Sequence, residues 1–180
     1  ILGGKENETA TGNTNFLAGE KNKVLSGNSN IVLGFNNTAS GNYNHLSGNN
    51  NTNVAGSSNI LNGQNNIINS GSSNALFGFN NSASANYAAA IGNGNTVQNE
   101  SAIAFGNNNK DSGWASVTGG FENVIENNVK FSSSFGYKNI SGKNSSLLLT
   151  TPGAATFSAG AANINSGYGS IALGGNNRSS

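Results

Sequence analysis

The sequence contains no cysteine and few charged residues. Its 180 residues include eight Lys or Arg and seven Asp or Glu, so the formal net charge is +1. Without cysteine, disulfides and thiolate-ligated metals are excluded. Nucleic-acid binding requires clustered basic residues that neutralise phosphates, and here the basic residues are scattered. No apolar run approaches the roughly 18 residues that a membrane-spanning helix needs.

Side chains that carry out catalysis are equally scarce. His45 is the only histidine, Asp111 is the only aspartate, and the glutamates are dispersed. A β-helix enzyme that cleaves polysaccharides would need a pair of carboxylates, and calcium-binding β-roll repeats would need a recurrent aspartate. We therefore expect a protein that is not an enzyme and that holds no cofactor and no metal, with His45 as a packed or solvated side chain.

Glycine and asparagine, by contrast, are abundant, with 26 and 38 copies. Both tolerate positive φ and so favour a chain that turns often. Glycines recur every seven or eight residues at Gly12, Gly19, Gly27, Gly34, Gly41, Gly48, Gly56, Gly63, Gly71 and Gly78. The period loosens near Asn128 and resumes at Gly136, Gly142 and Gly153. Such a period is typical of a structural repeat.

The segments between glycines alternate between two kinds. One kind ends in an apolar residue, as in Ile31-Val32-Leu33-Gly34, and the other ends in serine, as in Leu25-Ser26-Gly27. Short apolar runs interrupted by Gly and Asn are unsuited to helices. The sequence therefore predicts an all-β parallel β-roll, or β-solenoid, with coils of 14–16 residues in a single domain over residues 1–180. Because the chain begins within the pattern, we expect a fragment of a longer protein.

Alternation along each strand predicts which side chains lie inside the coil. A coil with two strands is narrow, so we expect the small or central residue of each apolar run to point inward. This assigns to the interior Val32, Leu76, Ala90, Ala104 and Ala172, facing Leu25, Ala39, Val54, Ala83, Val97 and Ile140 from the other strands. The opposite assignment, with inside and outside exchanged, stays open at this point.

The larger apolar residues then form an aliphatic stripe on one outer side of the coils. Its members are Phe16, Ile31, Leu33, Ile60, Phe77, Ile91, Ile103, Phe105, Phe135, Ile171 and Leu173. A contiguous apolar surface of this length is unfavourable in water, and each large side chain contributes roughly 1.5–3 kcal/mol when buried. We therefore expect the stripe to be an interface between copies of the chain related by cyclic symmetry.

Three segments resemble the head repeat of YadA-like trimeric autotransporter adhesins. They are Ser170-Ile171-Ala172-Leu173-Gly174, Ser101-Ala102-Ile103-Ala104-Phe105-Gly106 and Ala88-Ala89-Ala90-Ile91-Gly92. The resemblance implies a left-handed β-roll that forms a homotrimer around the stripe and projects from a Gram-negative outer membrane. It also implies adhesion to host extracellular-matrix proteins or to receptors of the carcinoembryonic-antigen type. The chain departs from that pattern because Asn often replaces Ala and several coils have 15 residues.

Aromatic and charged residues concentrate where the period loosens, between residues 110 and 145. Binding residues often lie on irregular segments of a rigid scaffold, and exposed aromatics are common interface anchors. The residues predicted to contact a receptor are Trp114, Phe121, Glu122, Tyr137 and Lys138. The alternative is that these aromatics pack at coil corners or between protomers.

Two other functions remain open. An ice-binding β-solenoid needs a flat, regular array of threonine or similar residues on one face. In this sequence the threonines look scattered, and the flattest predicted face is aliphatic. A structural spacer, or a module that causes autoagglutination, is the remaining alternative.

Overall fold

A computed structural model describes residues 2–127, 129–142, 155–167 and 169–179. Every regular element in these ranges is a β-strand, and none of them contains a helix that could cross a membrane. The chain divides into two compact units, Ile1–Tyr87 and Ala88–Ser180, called here the first and the second unit.

The first unit consists of two parallel sheets of six strands each. Its long-strand sheet contains β1 (Leu2–Lys5), β3 (Phe16–Glu20), β5 (Ile31–Phe35), β7 (His45–Asn49), β9 (Ile60–Gln64) and β11 (Ala75–Phe79). Its short-strand sheet contains β2 (Glu8–Thr9), β4 (Lys23–Ser26), β6 (Thr38–Ser40), β8 (Thr52–Asn53), β10 (Ile67–Ile68) and β12 (Ser82–Ala83). The chain alternates between the sheets, so each coil contributes one strand to each.

The second unit repeats this arrangement. Its long-strand sheet contains β13 (Ala89–Asn93), β15 (Ile103–Asn107), β17 (Val117–Phe121), β19 (Ser133–Tyr137), β21 (Phe157–Ala161) and β23 (Ile171–Gly175). Its short-strand sheet contains β14 (Thr96–Val97), β16 (Lys110–Asp111), β18 (Val124–Ile125), β20 (Ile140–Ser141), β22 (Ile164–Asn165) and β24 (Arg178–Ser179). The prediction of an all-β parallel β-solenoid is confirmed.

Equivalent residues of successive coils pair with each other, so the coil length can be read from the register. Hydrogen-bonded ladder residues are 14, 15 or 16 positions apart in most coils. The exception lies between β19 and β21, where Ser132 and Thr156 are 24 positions apart. Gly153, predicted as a repeat glycine, falls in this longer coil and lies outside the described residues.

Glycine recurs because neighbouring coils touch at the glycine backbone. Gly34 has φ +107°, and a Cβ placed there would lie 2.2 Å from the carbonyl oxygen of Gly48 in the next coil. No larger residue fits this separation, and positive φ independently favours glycine. Glycine therefore recurs in the sequence at the positions where the backbones of neighbouring coils are in contact.

The interior of the first unit is mainly aliphatic. Fully buried side chains from both sheets meet there: Leu17, Val24, Val32, Ala39, Leu46, Leu61, Ile68, Leu76 and Ala83. The predicted inward positions Val32, Leu76, Ala39 and Ala83 are confirmed, as are Ala90, Ala104, Val97 and Ala172 in the second unit.

Three predicted interior residues are wrong: Leu25, Val54 and Ile140. Leu25 and Val54 are exposed, and the adjacent Val24 and Asn53 are buried in their place. Ile140 is only half-buried, whereas Ser141 is buried. The inward residue stands two positions after a buried asparagine, for example Asn22 before Val24. Its distance to the following glycine varies with coil length, so counting back from glycine misplaces it.

The interior of the second unit becomes polar. Its fully buried inward side chains include hydroxyl groups and one carboxyl group: Thr118, Ser134, Ser141, Ser158 and Asp111. The Asp111 carboxylate accepts hydrogen bonds from the Gly113 backbone N–H at 3.1 Å, the Thr118 hydroxyl at 3.3 Å and the Ser116 hydroxyl. Burial raises the pKa of Asp111 from 3.8 to about 6, and these hydrogen bonds offset part of the rise.

This raised pKa makes the stability of the fold depend on pH. The folded state holds the Asp111 proton more tightly than the unfolded chain does. The contribution of this proton to the free energy of unfolding is therefore full below about pH 4 and is lost as pH rises through about 6. The rise of about two pKa units corresponds to about 3 kcal/mol. We predict that Asp111→Asn raises the free energy of unfolding at pH 7.5 and removes most of this dependence.

The check is chemical denaturation of both proteins at pH 4, 5.5 and 7.5. Asn53 and Asn165 already occupy the equivalent inward position of β8 and β22, so an amide fits the coil. A variant with the same pH dependence as the original protein would contradict the assignment to Asp111.

Candidate functional site

The outer face of the short-strand sheet in the first unit carries a row of paired side chains, called here the threonine row. It consists of Thr38, Thr52, Ile67 and Ser82. Thr38 pairs directly with Thr52, Thr52 with Ile67, and Ile67 with Ser82. Adjacent parallel strands lie about 4.7–4.9 Å apart, so the row places hydroxyl and methyl groups at this constant spacing.

A second row runs beside the first, two residues further along the chain, at or just beyond the end of each strand. Ser40, Val54, Asn69 and Ser84 follow the four residues of the threonine row, with one inward residue between. Backbone hydrogen bonds continue between the coils here, from Val54 to Ile68 at 2.8 Å and from Asn69 to Ala83 at 2.9 Å. The two rows together make a two-dimensional array of uncharged side chains.

A ladder of buried asparagines fixes the spacing of this array. Asn37, Asn51 and Asn66 directly precede Thr38, Thr52 and Ile67. The Asn51 amide nitrogen donates to the Asn37 Oδ1 at 3.1 Å, to the Ser47 carbonyl at 2.9 Å and to the Gly63 carbonyl at 2.9 Å. One side chain thus joins three successive coils, directly beneath the threonine row.

The array carries no charge. Residues 24–99 contain no Asp, Glu, Lys or Arg. Charge enters the same face only at its first two strands, where Lys23 pairs with Glu8 at 3.0 Å. Among the described residues, no group of three or more His, Asp and Glu could hold a metal ion. The chemistry available on this face is therefore limited to hydroxyl, amide and methyl groups.

The opposite face of the first unit is bulkier and less regular. The aliphatic-stripe residues Phe16, Ile31, Ile60 and Phe77 lie there on the long strands, exposed as predicted. Across the strands of this sheet, His45 pairs with Ile31, and Phe35 pairs with the charged Glu20. Side chains of such different lengths do not form a level surface. In the second unit, Ile91, Ile103, Phe105, Phe135, Ile171 and Leu173 occupy the corresponding outward positions, and Leu33 does so in the first.

Four of the five predicted receptor-contact residues lie together at one corner of the second unit. The rings of Phe121 and Tyr137 stack with centroids 5.5 Å apart, and Lys138 pairs with Glu122 at 3.3 Å. Hydrogen bonding to Tyr137, and then to Glu122, raises the pKa of Lys138 above its ordinary value. These side chains thus satisfy each other at the ends of β17 and β19.

Trp114 is not part of that corner cluster. It lies in the turn between β16 and β17, at the opposite end of β17. Its ring meets Phe131 edge to face with centroids 5.2 Å apart, and Lys130 lies over it at 5.6 Å. These contacts agree with the alternative that the aromatics pack at coil corners.

A family model described as the grass antifreeze beta roll matches residues 34–127, just over half of the chain. The chain belongs to the grass antifreeze beta roll family. The match includes the whole threonine row and the four asparagines that precede it. No curated protein matches the sequence significantly.

Membership of the grass antifreeze beta roll family overturns the resemblance to YadA-like heads, and with it the predicted adhesin function. The Ser-aliphatic-Ala-aliphatic-Gly motif is a requirement of narrow parallel coils in general, because it supplies a small inward residue and a glycine where backbones touch. It therefore does not distinguish one β-roll family from another. The homotrimer and the outer-membrane localisation stay predictions.

The threonine row was missed because it was judged along the sequence and not across the coils. Thr38 and Thr52 look isolated in the chain, yet they are direct neighbours in the sheet. A signal was present: Asn37-Thr38, Asn51-Thr52 and Asn95-Thr96 repeat the same dipeptide. Aligning the asparagines instead of the glycines would have revealed it.

The ladder beneath the threonine row can be tested with Asn51→Ala. The change removes the donor to the Ser47 and Gly63 carbonyls and the acceptor for Asn66. Buried groups left without partners cost about 1–3 kcal/mol each, so we expect the free energy of unfolding to fall by about 2–4 kcal/mol. Thermal and urea unfolding followed by circular dichroism would measure this.

Asn49→Ala is the matched control, because Asn49 lies exposed at the end of β7 in the same coil. It should leave the unfolding midpoint almost unchanged. Equal losses in both variants would mean that the ladder does not stabilise this part of the fold.

Proposed function

We propose that the protein binds ice through the outer face of the short-strand sheet in its first unit. The observation that carries the proposal is the in-register threonine row within a chain of the grass antifreeze beta roll family. The contact residues would be Thr38, Thr52, Ile67 and Ser82, with Ser40, Val54, Asn69 and Ser84 beside them.

Ice is a periodic solid, so a protein that binds it must present groups at a matching and constant spacing. Parallel coils supply one such group about every 4.8 Å along the stacking direction. Threonine offers a methyl group, which restricts the orientation of first-shell water, and a hydroxyl group, which hydrogen-bonds to that water. The array can therefore order water into a pattern that continues into a crystal.

Rigidity matters as much as spacing. Water that is ordered at a surface costs up to about 2 kcal/mol per molecule in entropy, so a surface that also had to order itself would bind weakly. Here Thr38 and Thr52 are half-buried between their neighbours, and the backbone of each is bonded at 2.9 Å to the next coil. The face is organised before it meets ice.

Absence of charge supports the same face. A charged side chain holds a hydration shell that does not fit the ice lattice, and burying it against a crystal would be costly. The charged residues nearest to the array in this sheet are Lys23 and Glu8, which lie on the two strands at its edge, β4 and β2. The interval from β6 to β12 is free of them.

The proposal predicts that Thr52→Tyr removes most of the thermal hysteresis of the protein. A tyrosine ring in the middle of the threonine row would hold the neighbouring residues away from a flat crystal surface. Thermal hysteresis in a nanolitre osmometer and inhibition of ice recrystallisation are the two measurements. The position is outward-facing, so circular dichroism should show an intact fold.

His45→Tyr is the control, because His45 begins β7 in the preceding half of the same coil and points outward from the opposite sheet. It should leave both ice activities unchanged. If the unmodified protein shows no hysteresis and no recrystallisation inhibition, ice binding is excluded. If His45→Tyr abolishes activity and Thr52→Tyr does not, ice binds the long-strand sheet.

A further inference from the structure

The outer face of the long-strand sheet in the second unit is apolar and free of charge, and is called here the apolar face. The outward side chains at the first and third positions of its strands are Ala89, Ile91, Ile103, Phe105, Val117, Ser133, Phe135, Phe157, Ala159, Ile171 and Leu173, with Gly119 between them. Only Ser133 is polar. No such run of apolar positions is expected on a surface that meets water alone.

Three phenylalanine rings form a continuous path across this face. The centroids of Phe105 and Phe135 are 6.1 Å apart, and those of Phe135 and Phe157 are also 6.1 Å apart. Gly119 makes room for the path, because a Cβ at that position would lie 2.3 Å from the Phe105 ring. The Phe105 ring thus lies across the neighbouring strand, and the surface follows the sheet closely.

The exposed area is close to what a stable interface needs. Ile171 and Leu173 are 63% and 59% exposed, and Phe105 and Phe157 are 41% and 38% exposed. With roughly 150–250 Å² for a whole aromatic side chain, the face and the adjoining Phe121 and Tyr137 leave on the order of 700 Å² of apolar surface in water. A standard interface buries about 800 Å² on each partner.

The other sheet of the same unit is different. Its outward positions include the charged residues Lys110, Glu126 and Arg178. Both sheets share one coil and one interior, so neither the fold nor the overall composition requires this difference. On the short-strand sheet the outward apolar residues Val124, Ile140 and Ile164 are interrupted by these charges. The apolar face has no such interruption, which indicates that it meets a surface other than water.

We propose that the apolar face is an interface between copies of this chain. Its side chains recur with the strand spacing of about 4.8 Å, and the same face on a second copy of the chain repeats with an identical period and is equally apolar. The rows of side chains on one apolar face then fit between the rows on the other along the full length of the face. The Glu122–Lys138 pair at the adjoining corner supplies a polar rim.

This interface is separate from the proposed ice-binding face, which lies in the other unit and on the other kind of sheet. The homotrimer predicted from the sequence is one stoichiometry that it permits, and a dimer is another. Mass in solution, rather than ice activity, is therefore the measurement that tests it.

The experiment is sedimentation equilibrium of the whole chain across a dilution series, for the unmodified protein and three variants. We expect the unmodified protein to have two or three times the 18.2 kDa mass of one chain. Phe105→Glu and Ile171→Glu place a charge in the interface and should shift the mass to 18.2 kDa. Thr96→Glu adds the same charge to the opposite sheet of that unit and should leave the association intact.

Ile171 is the most exposed of these apolar side chains, so its variant keeps the test decisive if Phe105→Glu disturbs the fold. Circular dichroism and the unfolding midpoint identify the folded variants. A single-chain mass for the unmodified protein at every concentration overturns the proposal. So does an unchanged oligomer in a folded Ile171→Glu variant.

Discussion

The buried asparagine ladder is the interaction on which the rest of the structure depends. A two-stranded coil has too narrow an interior to be stabilised by apolar contact alone, and its corners leave carbonyl groups that must find donors. Asn37, Asn51 and Asn66 supply these donors, each amide reaching the coil before and the coil after its own. The spacing of the coils, and therefore of every outward row, follows from these repeated bonds.

A ladder of this kind allows the interior itself to vary. In the first unit the inward residues are mostly Leu, Val and Ala, whereas in the second they include Thr118, Ser134 and Ser158. The ladder continues through the second unit at Asn109, Asn123, Asn139 and Asn163. Polar interiors are tolerated there because the corners, more than the apolar contacts, hold the coils together. Asp111 is the extreme case, a carboxyl group at an inward position where the neighbouring coils place Val97 and Ile125.

Much of the fold could be predicted from the sequence because a repeat reports the same constraint many times. Gly34 and its equivalents mark the backbone contacts, and the alternation in Ile31-Val32-Leu33 correctly places Val32 inside. Leu25 and Val54 were misplaced because coils differ in length after the inward residue, and only the asparagine has a fixed distance to it. The residues of the threonine row could not be recognised without the register, since pairing in the sheet joins positions 14 or 15 apart.

The resemblance to adhesin heads failed for a related reason. The motif that the chain shares with adhesin heads is required by the backbone of a narrow coil. Proteins with the same backbone can have different functions, so the motif does not identify the function. Function in a solenoid is carried by the outward rows, whose residues the coil leaves free to vary. In this chain the short-strand sheet of the first unit carries an uncharged outward array from β6 to β12, whereas the long-strand sheet of the second unit has an apolar and aromatic outward face. The glycines and the buried asparagines recur in both units, so those residues alone contain no information about what either face binds.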